Sequence, residues 1–545
     1  MPPIADLGES ADAYACTPLL NCLLREVARP ADGRNDGGPD GGGVGLGGSD
    51  GGRRVHRLAG SGRLLRVLGA RRPAEPEVRD GHGWRRLDHA ELVKLAAEEL
   101  RLHTGLTNDE LPGEMLDSRN AVAALLAARA TATAPADPYL RSEQALVTGH
   151  PCHPAPKARG GGPAAAWLPY APEAHARFPL TLLAVREDTV VEEGDTEALD
   201  AMDALDAMGA LRAGDALGVP DVRDASDVRG GVPRGYRLLP AHPWQLELVA
   251  GSPGIRRAFA DGRLLRLGVT AQHAWPTAAV RTVHLPGADL FAKFSLDVRI
   301  TNDVRRLWRH DLLRLRRTDA TVTTALAALP AAQSAGAAWL SDRGYRTASF
   351  AYEELAVLVR DGLGAHLPPG STALLAAALA EGFDGNPLDR LGDDPEPWWS
   401  AYLRHTVPPV LHLFHRHGVV LEAHLQNCLI AVDTAGRPVR ALFRDAEGVK
   451  TVPPAGRAAG WERLVYCLIV NHLGELAGAL RERHPAFDPW PAVRRELDRH
   501  DVPEARELLT RPTLPGKTNL LLRWTGADGA DARYLPLPNP LARPV

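Results

Sequence analysis

The stretch from His417 to Asp445, HGVVLEAHLQNCLIAVDTAGRPVRALFRD, restricts the fold of this chain more than any other. Gly418 follows a helical pattern that ends in Arg416 and His417, and a glycine there is free to take the left-handed conformation that stops a helix. Val419 to Leu421 then reads as a short buried strand. Cys428 to Val432 and Val439 to Phe443 are apolar runs on either side of Asp433-Thr-Ala-Gly-Arg-Pro438, a pattern that predicts a β-hairpin. Such a hairpin returns Asp445 to the neighbourhood of His424 and Asn427. An amide oxygen and a carboxylate brought together in this way suit Mg²⁺, which takes oxygen ligands and commonly shares phosphate oxygens with a nucleotide. Read alone, the stretch fits a polar loop beside an ordinary hairpin equally well.

A chain of 545 residues has material for several domains with large cores. Its formal net charge of −4 gives no electrostatic case for nucleic acid or an anionic membrane as partner. The five cysteines, Cys16, Cys22, Cys152, Cys428 and Cys467, are scattered and odd in number, which argues against a disulfide framework. The first residues carry early acids and no basic segment leading into an apolar core, so no secretory signal is read there. No apolar run approaches the length of a bilayer span. A cytoplasmic protein is expected.

Along the chain, Thr17 to Val27 predicts a first helix, and the Gly- and Asp-rich residues from Pro30 to Arg53 read as a disordered insertion. Strand is expected around Arg63 to Leu68, and helices over Asp88 to His103 and Ser118 to Thr133. Together these suggest a first domain of mostly architectural role. Gly149 to Gly162, GHPCHPAPKARGGG, is held out of helix by its prolines. It reads as a stiff loop displaying His150, His153, Lys157 and Arg159, a set that suits a carboxylate or phosphate. Zinc is disfavoured because no second cluster with zinc-site spacing exists. Leu199, Met202, Leu205 and Met208 read as a helix-packing stripe within an acidic stretch. HPWQ, His242 to Gln245, is either a cleft wall or a structural turn with His242 as a cap.

Arg281 to Leu285 and Leu290 to Leu296 flank Pro286-Gly-Ala-Asp289 and predict a second hairpin, with Lys293 on the face opposite Ala292 and Phe294. Thr301 or Asn302 is placed to cap a helix whose first turns carry Arg305 and Arg306, and a helix N-terminus beside arginine favours an anion. Arg281, Lys293 and Arg305 together would neutralise a triphosphate. Helices are expected over Phe350 to Leu363, Ser371 to Gly382, Trp398 to His417 with a break at Pro408-Pro409, and Trp461 to Arg481. Lys517 to Trp524 and Arg533 to Leu537 read as closing strands.

GHPxHPxxKxRxG, HPWQ, the Arg-Thr pair before a lysine-bearing strand, ITNDVRR, ExHxQN and the final Arg-Asp occur here in one order. In that order they resemble the siderophore synthetases that work independently of nonribosomal peptide synthetases, the IucA/IucC-like family. The resemblance runs from about Tyr139 to the C-terminus. It implies an α+β fold in a three-domain cupped hand: thumb over 1–148, fingers over 149–348 and palm over 349–545. It also implies adenylation of a carboxylic acid with ATP and Mg²⁺, citrate first and a succinyl-type half-acid next. The acyl group would pass to an amine, hydroxylamine or alcohol, releasing AMP and pyrophosphate, in a homodimer. Carried over by motif, Arg281, Thr282, Lys293, Arg305, Gln426 and Asn427 are nucleotide contacts. His424, Arg305 and Lys293 are the catalytic set, and His150, His153, Lys157 and Arg159 the acid-binding set. Asn427, Asp445 and Glu422 are the metal ligands. Thr277-Ala278-Ala279-Val280 departs from the usual Thr-Ser-Ser run, and Gly162 replaces a bulky residue; a non-catalytic nucleotide or carboxylate sensor therefore stays open. So does a kinase-like phosphotransferase, although Gln426 stands where that chemistry wants a carboxylate.

Overall fold

The computed structural model describes residues 6–31, 52–81, 83–160, 162–205, 228–229, 231–301, 303–330, 336–527 and 533–542. Residues 32–51, most of the expected insertion, lie outside the described residues, as do Asn302 and the acidic stretch 206–227 with Met208.

The N-terminal part is a helix, Asp6–Glu26, packed on a five-stranded antiparallel meander (Ala28–Pro30, Arg53–Leu58, Leu64–Leu68, Ala74–Asp80, Gly83–Arg86) and on two further helices, His89–Thr104 and Glu110–Arg129. Asp88 and Glu91 form a reciprocal capping box at the start of the second helix. Gly105 ends it at φ 73°.

An eight-stranded antiparallel sheet fills the middle of the molecule, in the order Tyr236–Ala241, Phe178–Arg186, Leu264–Pro276, Thr282–Leu285, Leu290–Phe294, Val357–Asp361, Asp342–Ala348 and Val190–Gly194. A four-stranded sheet follows in the order Ala337–Leu340, Pro438–Arg444, Cys428–Val432 and Thr372–Leu375. One stretch of chain belongs to both sheets. Leu340 pairs in parallel with Arg444, and two residues later Asp342 pairs with Arg360. The crossing at Ser341 therefore fixes the end of the Arg444–Asp445 strand against the strand next to Lys293.

Helices Glu396–His417 and Arg457–Leu464, the latter continuing through Val465–Leu473 in π geometry into Gly474–Arg483, cover the small sheet. The C-terminal hairpin Thr513–Lys517 with Tyr534–Pro538 carries the short helix Asn519–Trp524 back to the N-terminal core. There the Glu26 carboxylate accepts the backbone N–H groups of Leu520 and Leu521.

Several expectations are corrected. Phe350 to Leu363 is not a helix: Val357–Asp361 is a strand inside the large sheet, paired on both sides. Ser371 to Gly382 divides into a strand, Thr372–Leu375, and a short helix, Ala376–Glu381. Glu396–His417 runs through Pro408 and Pro409 without a break, because Trp399, Tyr402, Val407, Val410 and Phe414 bury it on the core. Lys517 to Trp524 is mostly helix rather than a closing strand. No helix starts at Thr301; that residue sits at φ 60° in a turn between Arg299–Ile300 and Asp303–Val304, and the next helix is Arg309–Ala327. The Trp244 of HPWQ is core and not a cleft wall, and His242 caps Pro243–Leu248 by accepting the Trp244 N–H at 3.2 Å.

Arg444 and Glu143 form a fully buried pair at 2.6 Å, and the Tyr139 hydroxyl donates to the same carboxylate. Removing one partner strands a charge without water. Glu143→Ala should therefore destabilise the protein by about 3–5 kcal/mol, read as a lowered denaturant midpoint.

Candidate active site

Lys293 stands in the centre of the large sheet, opposite Thr282 on one neighbour and Leu358 on the other. Strand alternation sends its side chain away from the core face of Ala292 and Phe294. It is 2% exposed and bonds two carboxylates, Asp445 at 2.6 Å and Glu447 at 2.7 Å. Arg281 reaches the same Glu447 at 3.0 Å, and Arg360 reaches Asp445 at 3.3 Å while holding Asp342 at 2.6 Å. Asp342 in turn accepts the N–H of Ala446. Burial pushes the Asp445 carboxyl up, but Lys293 and Arg360 outweigh it and hold the group far below the usual carboxylate range. Glu447 is likewise held down against burial by Lys293 and Arg281. Both are ionised at neutral pH.

Arg305 differs from its neighbours. It donates to the Ile300 carbonyl and the Thr301 hydroxyl and has no carboxylate partner among the described residues. Burial, reinforced by the Arg281 charge, pushes its pKa down. A guanidinium in that setting favours an incoming anion.

The residues after Gly418 approach from the small sheet. Gly418 takes φ 63° and closes its helix, and a Cβ there would lie 2.8 Å from the Val452 carbonyl. The His424 Nδ1 accepts the Gln426 N–H at 3.2 Å, which leaves the proton of the neutral ring on Nε2. Burial lowers the His424 pKa, so that neutral form prevails at physiological pH. The ring of His472, whose Nδ1 lies 2.9 Å from the Ala423 carbonyl and whose Nε2 meets the Tyr402 hydroxyl, fixes the residue just before it. Gln426 donates to the Ala278 carbonyl at 3.2 Å, and Ala278 N–H donates to Glu143 at 3.0 Å. These bonds tie the Thr277–Arg281 turn to the other sheet. In that turn Val280 is held at φ 64°, a costly conformation for a β-branched residue.

The structure brings Arg281, Lys293, Arg305 and Asp445 together. Thr282 is buried beside them and accepts at its carbonyl from Thr277. Asn427 Nδ2 donates to the Glu422 carbonyl at 3.3 Å. The Glu422 carboxylate pairs with Arg463 at 2.6 Å and presses so closely on Gly448 that any Cβ there would collide. The loop of His150 does not display its cations, which corrects the expectation. Lys157 and Arg159 are buried and both bond Glu173, because that enclosed carboxylate needs counter-charge. His150 and His153 cap their own loop by accepting the Cys152 and Ala155 N–H groups at 3.1 Å each.

Glu447, Arg360 and Asp342 are site residues that the sequence reading missed. Glu447 had a signal, standing two positions after Asp445. Arg360 and Asp342 had none, since only sheet pairing brings them in.

Among the described residues no group of three or more His, Cys, Asp or Glu side chains could hold a metal ion. Asp445 and Glu447, which meet at the Lys293 ammonium, nevertheless suit Mg²⁺, which needs only one or two carboxylates when phosphate and water complete its shell.

Comparison with known proteins gives the setting. Residues 138–381 match the model of the IucA / IucC family, and residues 396–532 match that of the ferric iron reductase FhuF-like transporter. Over residues 138–381 the chain carries the IucA/IucC family pattern. The chain is 28% identical to an L-2,3-diaminopropanoate–citrate ligase of Staphylococcus aureus, over 74% of this chain and 75% of that protein. A spermidine-citrate ligase of Bacillus anthracis is 25% identical over 75% of this chain and 74% of its own length. Among solved structures, ATP-bound aerobactin synthetase IucA of Klebsiella pneumoniae superposes with a TM-score of 0.72 at 21% identity, covering 98% of this chain and 100% of that one. The petrobactin biosynthesis protein AsbB of Bacillus anthracis gives 0.73 at 16% identity, with 98% and 96% covered. The chain therefore has their mixed α+β fold. No helix among its described residues is long and apolar enough to cross a membrane.

Burial, with the fields of His424, Lys517 and Arg25 added, pushes His150 down to about 3, and burial pushes His242 to about 3 and His472 to about 4. The folded protein keeps these rings neutral, whereas the unfolded chain takes up protons below about pH 6.5. The unfolded state then binds more protons, so stability is complete above that pH and declines as pH falls towards the folded values. The thermal midpoint should be lower at about pH 5 than at about pH 7.5, before most carboxylates titrate. Scanning calorimetry at the two pH values checks this; a flat midpoint contradicts it.

Proposed function

We propose that this protein is an ATP-dependent citrate–amine ligase, a siderophore synthetase independent of nonribosomal peptide synthetases, that works through an acyl-adenylate. The observation that carries the reading is the convergence of Arg281, Lys293 and the unpaired Arg305 beside the His424 loop, where two sheets meet. Several similar proteins are named as ligases of citrate with an amine.

A carboxylate is a poor electrophile and is itself an anion, so the site must bring two anions together. Lys293 and Arg281 bind phosphate oxygens by exchanging Glu447 for them, and Arg305 adds a guanidinium that no carboxylate among the described residues holds directly. Asp445 and Glu447, with Asn427, would hold Mg²⁺; it would supply charge neutralisation at the phosphates. Glu422, occupied by Arg463, lies outside that set. The acid oxygen attacks the α-phosphorus and pyrophosphate leaves; the amine then attacks the carbonyl and AMP leaves. His424, with its proton on Nε2, is a hydrogen-bond donor to the acyl group and not the base for the amine. Gln426 holds the Thr277–Arg281 turn in place through Ala278. We also carry forward the thumb, fingers and palm division and a homodimer, the latter checked by light scattering.

Incubation with ATP, citrate and a diamine should yield AMP and pyrophosphate, with no ADP, by nucleotide chromatography. ADP with a phosphorylated product would replace this reading with a kinase-like one. Lys293→Ala should cost about 2–4 kcal/mol in transition-state stabilisation, measured as kcat/KM. His424→Ala should lower kcat more than it weakens ATP binding.

A further inference from the structure

Between the helices Arg457–Leu464 and Gly474–Arg483 the chain winds in π geometry over Val465–Leu473, where the Gly474 N–H reaches back five residues to the Ile469 carbonyl. Such turns are rare and concentrate at functional sites. No glycine or proline lies within 465–473 to force the change. The two ends of the segment supply a reason. Arg463, in the last turn before it, bonds the Glu422 carboxylate at 2.6 Å. His472, near its far end, meets the carbonyl of the next loop residue, Ala423, at 2.9 Å. His472 follows Arg463 by nine positions, about two and a half turns of an α-helix, so an unbroken α-helix would set them on opposite faces. A π turn, closed by bonds to the fifth residue, advances less per residue and carries His472 round towards the side of Arg463. One helix thereby grips the two consecutive residues that precede His424.

The protons on this grip are fixed. Burial keeps the His472 ring neutral and the Tyr402 phenol protonated. The Tyr402 hydroxyl therefore donates to the His472 Nε2, and the Nδ1–H of the same ring donates to the Ala423 carbonyl. Tyr402 is itself immobile: it stacks on Trp398 and Trp399 at 5.4 and 5.8 Å, and the Trp399 indole donates to the Pro489 carbonyl at 2.9 Å. Beyond Ala423 the restraint passes along the loop. The Glu422 carbonyl accepts the His424 N–H at 2.9 Å and the Asn427 amide at 3.3 Å. Tyr402 and His472 are fully buried, so they act on the site only through that loop.

We propose that His472 is a positioning residue of the reaction: presented by the π turn and backed by Tyr402, it holds Ala423 while Arg463 holds Glu422, and together they aim the Nε2–H of His424 at the acyl group. The inference rests on the ligase reading and deepens it. The π segment persists because the wider turn is the one that lets both grips close on the same loop, and strained geometry of this kind survives where its surroundings over-determine it. Arg281, Lys293 and Arg305 are held by other contacts, so the nucleotide end of the site is independent of the grip.

The test uses the full chain and its His472→Leu, His472→Asn and Tyr402→Phe variants. AMP formation with citrate and a diamine is measured beside calorimetric titration with ATP and nitrogen NMR of the isotope-labelled His424 ring. His472→Leu should lower kcat by about tenfold or more, the scale on which catalysis feels a displaced group, with ATP affinity unchanged. An asparagine amide donates from nearly the place of Nδ1, so His472→Asn should regain most of the loss, and Tyr402→Phe should fall between. The His424 signals should shift in His472→Leu and return in His472→Asn. Parental kcat and His424 signals in a folded His472→Leu overturn the proposal, as does an equal loss in the leucine and asparagine variants. Should His472→Leu not fold, Tyr402→Phe decides in the same way. If the parent protein makes no AMP with any acid, the ligase reading falls. The His424 signals then decide alone: shifted in the variants they uphold the positioning role, unshifted they overturn it.

Discussion

The run of alternating charges Asp342, Arg360, Asp445, Lys293, Glu447, Arg281 is the interaction on which the rest of the site depends. Every member is at least partly withdrawn from water, and Asp342, Arg360 and Lys293 almost wholly so. Taking such charges out of water is costly unless each finds an opposite partner in good geometry. Here each does, and the partners come from three strands of the large sheet, from the Thr277–Arg281 turn and from the turn that leaves the small sheet. The pairing therefore sets how the two sheets meet, and it keeps the cations in place before any ligand arrives. Preorganised charge of this kind costs no rearrangement at the moment of reaction.

Around that run the backbone is held in conformations a free chain would avoid. Val280, Thr301 and Asp445 all have positive φ, at 64°, 60° and 82°. Val280 and Asp445 adjoin Arg281 and Arg444, and the Thr301 hydroxyl accepts from Arg305. Strain of this sort persists only where the surroundings over-determine it. Glu143 supplies part of that restraint, holding Arg444 on one side and the Ala278 N–H on the other.

The matched stretches divide the site between them. Arg281, Lys293 and Arg305 lie within residues 138–381, whereas His424 and Asp445 lie within 396–532. Neither stretch holds a complete set of groups for joining two anions. The helix Asp6–Glu26 lies before both, yet it is fastened to the His150 loop through Asn21 and to the C-terminal helix through Glu26.

Local pattern determined much of this protein. Gly418 as a helix stop, the two hairpins, the outward face of Lys293 and the return of Asp445 all follow from period-two alternation and turn residues, which act over a few positions. The family resemblance likewise rests on short motifs in order. Tertiary structure alone decided what no local rule can reach. Residues 357–361 became a strand because two neighbours offered hydrogen bonds, and Pro408-Pro409 stayed helical because burial outweighed the lost N–H groups. Lys157 and Arg159 turned inward because Glu173 lay there to meet them, and Arg360 and Asp342 joined the site by sheet pairing. Charge partners separated by tens to hundreds of residues leave no mark on the sequence near either one, and burial makes those partners decisive.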